Sequence, residues 1–233
     1  MENEMITAIV LAAGNGSRMK SPVKKQYMML QGKPLVYYSL KAFSDCEKID
    51  NIIVVTGEED IEYLRKEIIE KYNIGKVSNV VIGGKERYNS VYNGLSYTRE
   101  SEYVLIHDGA RPCITKENIN CVIEKVKESK ACVAGMPVKD TIKIVDEQNN
   151  IVDTPNRKVV WMAQTPQAFS REIVVKAYEE MMKIGDNTIT DDAMVVEKYY
   201  GIKVEMVECS YNNIKVTTPE DMVIAKAFFM EEK

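Results

Sequence analysis

Histidine is almost missing from this chain: His107 stands alone among 233 residues. That excludes a multi-histidine metal site and leaves little for histidine acid–base chemistry. Cysteines at metal-binding spacing are missing too. Cys46, Cys113, Cys121, Cys132 and Cys209 are scattered and odd in number, which reads as free thiols in a reducing cytoplasm. An excess of positive charge is also lacking. Lys and Arg total 31 against 35 Asp and Glu, for a net charge of -4. This argues against a general nucleic-acid or membrane-surface binder, so any cationic site must be local. No apolar run is long enough to span a membrane, and the acidic start Met1-Glu2-Asn3-Glu4-Met5 does not fit a signal peptide. Internal repeats, low-complexity stretches and linkers are absent, so residues 1–233 are expected to form one domain. At 45% hydrophobic and 28% charged, the chain can bury a sizeable core.

What is present is an alternation of strands and helices. Strands are expected at residues 6–12, 52–56, 77–82, 104–107, 132–136 and 204–208. Helices are expected at 34–43, 61–72, 87–97, 115–128, 172–183 and 191–199, with a last helix opening at Thr218-Pro219-Glu220-Asp221. The pattern predicts an α/β fold with a doubly wound, mostly parallel sheet. The rhythm changes at Pro137. Residues 141–145 and 151–153 flank a polar tip and read as an inserted β-hairpin, an arm at about 137–160. It has little core of its own, and a partner subunit is a plausible surface for it.

The first strand runs straight into Gly14-Asn15-Gly16-Ser17-Arg18, with Lys20, Lys24 and Lys25 close behind. Glycine turns let backbone N–H groups approach anions, and the cations add full charge. The segment reads as a phosphate site. It is not a P-loop, because Gly-Lys-Ser/Thr is missing, and Met19 stands where a dinucleotide fingerprint needs a small residue. Further polar clusters fall at strand ends, where ligands bind in open parallel sheets. They are Gly83-Gly84-Lys85-Glu86-Arg87, His107-Asp108-Gly109-Ala110-Arg111-Pro112 and Pro137-Val138-Lys139-Asp140-Thr141. Gln164-Thr165-Pro166-Gln167, Thr190-Asp191-Asp192 and Asn213-Ile214-Lys215-Val216-Thr217 follow.

Taken in order from Ala8 to Asp221, these motifs resemble the 2-C-methyl-D-erythritol 4-phosphate cytidylyltransferase family, within the sugar- and polyol-phosphate nucleotidyltransferases. The resemblance implies a Rossmann-like nucleotidyltransferase fold, a homodimer joined through the arm, and transfer of a cytidylyl group from CTP to methylerythritol phosphate in non-mevalonate isoprenoid synthesis. By motif position it implies Arg18, Lys25 and Lys215 as catalytic cations. It implies nucleotide contacts from Ala12, Ala13, Gly14, Gly16, Gly84, Ser90, Asp108 and Gly109. It assigns Arg111, Thr141, Arg157 and Thr165 to the polyol phosphate, with Thr141 and Arg157 reaching across the dimer. Asp108 is the expected ligand of a Mg²⁺ ion. Lys85 departs from the pattern, because some family members carry an acid there.

The chemistry is consistent with that assignment. A substrate phosphate is already anionic, so the reaction needs charge stabilisation rather than a general base. Lys24 reads as an incidental surface charge, and His107 as structural. Asp191 and Asp192 fit either a carboxylate pair or a helix cap, the cap being preferred. Trp161 and the tyrosines read as core and interface. Two rival readings stay open: a ribitol 5-phosphate cytidylyltransferase, and a non-catalytic nucleotide-binding regulator.

Overall fold

The computed structural model describes residues 4–14, 19 and 23–231. Alternation along the first strand builds the architecture. In β1 (Ile6–Ala12), Ala8, Val10 and Ala12 pack into one core cluster while Ile9 packs into another. Successive side chains of a strand point to opposite faces, so a strand buried throughout needs helices on both sides.

After β1 come the short pair β2 (Met29–Leu30) and β3 (Lys33–Pro34), then α1 (Leu35–Asp45) and β4 (Asn51–Thr56). Helix α2 (Ile61–Tyr63) continues through wider turns over Leu64–Glu70 into β5 (Val77–Ile82). Then follow α3 (Arg87–Leu95), β6 (Tyr103–Asp108), α4 (Lys116–Ser129) and β7 (Ala131–Pro137). The arm pairs β8 (Ile144–Val145) with β9 (Ile151–Asp153). The chain closes with β10 (Trp161–Ser170), α5 (Arg171–Ile184), α6 (Asp192–Tyr199), β11 (Glu205–Glu208) and α7 (Pro219–Glu231).

Seven strands form the central sheet in the order β11-β7-β10-β6-β1-β4-β5. β10 runs antiparallel to both its neighbours, β6 and β7, and every other pairing is parallel. One face packs Leu40, Phe43, Ile119 and Val122 from α1 and α4. The other packs Val91, Val174, Tyr178 and Val195 from α3, α5 and α6. This is the doubly wound, mostly parallel α/β sheet read from the sequence.

Two features differ from that reading. β10 lies inside the sheet between β7 and β6, although the sequence showed only a polar cluster around Pro166. Its pairing with β7 shifts register between Ala163 and Gln167, so the proline falls where the ladder is interrupted. The arm is shorter in regular structure than expected, with the two strands holding two and three residues. Its apolar side chains stay on the surface: Ile151 and Val152 are 62% and 60% exposed, and Val159 is 76% exposed. Among the described residues no helix is long and apolar enough to cross a membrane.

Candidate active site

The chain goes from β1 outward to β4 and β5, then returns to place β6 on the other side of β1. Such a reversal opens a crevice at the carboxyl ends of the central strands. A cleft of about 620 Å³ lies there. Its walls come from Ala12, Ala13 and Gly14 after β1, the 83–87 turn after β5, and Asp108 at the end of β6. Lys25, Glu58, Glu59 and Lys215 complete it.

Close backbone approach shapes the turn after β5. A Cβ on Gly83 would stand 2.5 Å from the Cβ of Ala13, and one on Gly84 would stand 2.2 Å from that of Asn89. Only glycine lets this turn lie against both the β1 loop and the start of α3. The Gly84 N–H donates to Ser90 Oγ at 3.0 Å, so Ser90 holds the turn in place from the helix. The Glu86 side chain caps α3, and the Glu86 N–H donates to Asn89 Oδ1 at 3.1 Å.

Asp108 is the electrostatic centre. It is nearly buried, and Lys215 Nζ lies 2.8 Å from its Oδ2. Arg87 Nε donates to its Oδ1 at 3.3 Å, and Arg111 Nε stands 3.8 Å from Oδ2. Burial alone would raise its pKa, but Arg87, Lys215 and Arg111 outweigh burial and hold the carboxyl far below the ordinary carboxylate range. The loop carrying Lys215 is tied down by the Val216 N–H donating to Ala110 O at 2.8 Å. Arg111 donates through Nη1 to Asn213 O at 2.7 Å, and burial lowers its pKa.

The segment bearing Lys25 is fastened at several points. The Gln26 amide donates to Ala12 O at 2.7 Å, and the buried Tyr27 hydroxyl lies 2.8 Å from Thr56 Oγ1. The Tyr27 ring meets Tyr63 edge-on at 5.0 Å. Lys24 is bound to Glu59 and, at 2.7 Å, to Asp60. Among the described residues, four acidic and four basic side chains line the cleft, and several of them are paired. Glu59 is held by Lys24, Glu86 by the helix cap and Asp108 by Lys215 and Arg87.

The structure thus brings Ala12, Ala13, Gly14, Lys25, Gly84, Ser90, Asp108 and Lys215 together at one cleft. Gly109 sits behind it, its N–H donating to Leu11 O at 2.9 Å. Gly16 and Arg18 lie outside the described residues. Thr165 is buried, with its hydroxyl accepting the Asp108 N–H at 3.0 Å and meeting His107 Nδ1 at 3.1 Å. That hydroxyl supports the metal-ligand candidate rather than facing the cleft. Thr141 and Arg157 are exposed on the arm and do not line this cleft.

Asp108 does not fit a protein-built metal cage. Lys215 engages one of its oxygens and Arg87 the other, and the described residues hold no group of three or more His, Cys, Asp or Glu suited to a metal. Two features escaped the sequence reading. Arg87 was visible only as one of several charges after β5, and Lys24 gave no sign of its acidic partners, which lie more than thirty residues away.

The model of the 2-C-methyl-D-erythritol 4-phosphate cytidylyltransferase family matches residues 6–231. A protein of that name from Lachnospira eligens is 52% identical over 225 residues, covering 96% of this chain and 99% of that protein. One from Lachnoclostridium phytofermentans is 50% identical over 230 residues, covering 99% of this chain and 98% of that protein. The crystal structure of 4-diphosphocytidyl-2C-methyl-D-erythritol synthase from Anaerococcus prevotii superposes with a TM-score of 0.86 at 35% identity, covering 98% and 97% of the two chains. The chain therefore belongs to the 2-C-methyl-D-erythritol 4-phosphate cytidylyltransferase family.

Proposed function

We propose that this protein joins CTP and 2-C-methyl-D-erythritol 4-phosphate, releasing pyrophosphate, as a step of isoprenoid precursor synthesis. Family membership over nearly the whole length carries this reading and sets the ribitol 5-phosphate alternative aside. The cleft at the strand reversal, with Lys25 and Lys215 in its wall, supports it. A phosphate oxygen of the polyol attacks the α-phosphorus of CTP, and the bond to pyrophosphate breaks. No proton must be removed from the nucleophile. The protein has to hold two anions together and stabilise the charge that develops.

In this reading the 12–14 and 83–84 turns and Ser90 hold the nucleotide. Lys25 and Arg18 stabilise the transferring phosphoryl group and the leaving pyrophosphate. Lys215, fixed by Asp108, lies between the two phosphates, and Arg111 serves the polyol side. Gly16 serves the nucleotide, Gly109 supports the cleft from behind through its bond to Leu11, and Thr165 serves the site through Asp108. The arm at about 137–160 joins two copies in a cytoplasmic homodimer, and Thr141 and Arg157 of each arm meet the polyol phosphate of the other subunit. A Mg²⁺ ion is proposed as the divalent cation of the reaction, and it would add charge neutralisation when bound.

Pyrophosphate release tests the reading. CTP with methylerythritol phosphate is expected to turn over, far faster than CTP with ribitol 5-phosphate or ATP with methylerythritol phosphate. A site whose buried polar groups match one base leaves them unpaired with another. No release from CTP and methylerythritol phosphate, or equal rates with ribitol 5-phosphate, overturns it.

A further inference from the structure

Asp192 does not line the cleft, yet it is bound to a residue that does. It opens α6 and is fully buried. Its neighbour Asp191 caps the helix, accepting the Met194 N–H at 2.9 Å, so the cap leaves Asp192 free for another task. Asp192 takes both ends of the Arg87 guanidinium, Nη1 on Oδ1 and Nη2 on Oδ2, each at 2.8 Å. The Tyr178 hydroxyl, also buried, donates to Asp192 Oδ1 at 2.5 Å. Gln167 on β10 fixes the start of α6. Its Oε1 accepts the Ala193 N–H at 2.9 Å, and its Nε2 donates to Asp191 at 3.0 Å.

A buried carboxylate is costly unless paired, and a planar fork on a carboxylate sets direction as well as charge. With both terminal nitrogens turned to Asp192, Arg87 meets Asp108 through its Nε. That contact is long, at 3.3 Å, whereas Lys215 reaches the other oxygen of Asp108 at 2.8 Å. Asp192 therefore divides Arg87 between two carboxylates and leaves Lys215 as the closer partner of Asp108. Without Asp192, the guanidinium fork has one carboxylate left within reach, and there it competes with Lys215.

We propose that Asp192 is a positioning residue for nucleotidyl transfer: by holding Arg87 end-on, it lets Asp108 keep Lys215 at the cleft. This rests on the cytidylyltransferase reading for the identity of the reaction, and on the geometry alone for the chain of contacts.

The test uses Asp192→Asn, Arg87→Gln and the double variant, with kcat, the KM for each substrate and the thermal midpoint measured for all. Asp192→Asn is expected to lower kcat about 10- to 100-fold, the scale seen when a group that orients a functional ligand is lost. The KM for CTP is expected to move much less. The double variant should be no slower than Arg87→Gln alone, because Asp192 acts through Arg87. Full kcat in folded Asp192→Asn overturns the proposal, and so do losses that multiply independently in the double variant. If Asp192→Asn does not fold, Tyr178→Phe loosens the same carboxylate more gently. It should slow the wild-type background and leave the Arg87→Gln background unchanged; equal slowing in both overturns the idea. A crystal structure of Asp192→Asn or Tyr178→Phe gives a readout without turnover. Arg87 should shift toward Asp108 and Lys215 should withdraw. Unmoved side chains refute the proposal, whereas absence of turnover in the wild-type protein refutes only the substrate reading.

Discussion

Lys24 and Lys25 are adjacent and alike in charge, but their surroundings divide them. Lys25 lines the cleft, and Lys25→Ala is expected to lower kcat by about 10²–10³-fold, the usual cost of losing one transition-state contact. Full activity in that variant would show that the site is misplaced. Lys24 is bound to Glu59 and Asp60 at the cleft rim, and although burial opposes its charge, these acids raise its pKa. Lys24→Met leaves two uncompensated acids where a triphosphate must enter. The KM for CTP is expected to rise about two- to fivefold, the modest scale of partly exposed ion pairs. Adding Glu59→Gln should bring it back part of the way, and steady-state kinetics of the pair of variants checks this. His107 has a different signature. Burial, with Arg111 nearby, lowers its pKa to about 3, so it stays neutral in the folded protein. The unfolded chain takes up a proton below about pH 6.5, which the folded state refuses until about pH 3. Its contribution to stability is therefore complete above the upper value and is lost progressively as the pH falls between the two. That loss is about 1.4 kcal/mol per pH unit for one proton. In His107→Gln the acid limb of the urea-unfolding free energy should flatten by about that slope; an unchanged slope refutes this account of His107.

At the scale of elements, the turn after β5 invites a sharp test. Gly83→Ala places a Cβ 2.5 Å from that of Ala13, so one of the two loops that frame the cleft must move. Overpacking of this kind costs about 1–3 kcal/mol, and a rise of roughly tenfold in the KM for CTP is expected. Wild-type CTP kinetics in Gly83→Ala would mean that the two loops do not act together. The strand-to-glycine junctions at Ala12–Gly14 and 82–84 were legible in the sequence because β-branched runs stop abruptly at residues with special backbone freedom. Helix α4 was legible from its cap, where Thr115 accepts the Asn118 N–H, and α5 from its period; the left-handed Gly185 that ends α5 was not part of that reading. β10 was not legible. A proline and three polar residues at its middle look like a loop, and the interrupted ladder that accommodates them exists only once β6 and β7 flank it. The preferred helix cap is present at Asp191, but the task of Asp192 was not legible, for a similar reason. Its partner Arg87 is 105 residues away in the chain, and no local pattern records the pairing.

For the whole molecule, the open question set by the structure is what covers the arm. Ile144, Val145, Ile151, Val152 and Val159 are exposed together on β8, β9 and the turn that follows. Apolar residues exposed on an arm with so little core of its own suit an interaction surface. The proposed occupant is a second copy of the chain, with Arg157 serving the other subunit's site. Arg157→Ala should then raise the KM for methylerythritol phosphate far more than that for CTP. The decisive experiment mixes two impaired parents, Lys25→Ala and Arg157→Ala. If the arm reaches across, each mixed dimer holds one site with both defects and one with neither. Random assortment of equal amounts makes half the dimers mixed, so about a quarter of all sites regain wild-type composition. If Arg157 serves its own subunit, every site keeps one defect. Co-refolding the variants, confirming mixed dimers by mass spectrometry and measuring pyrophosphate release separates the two. Recovery toward a quarter of wild-type activity supports an arm acting in trans, and no recovery above the parents in confirmed mixed dimers assigns Arg157 to its own chain.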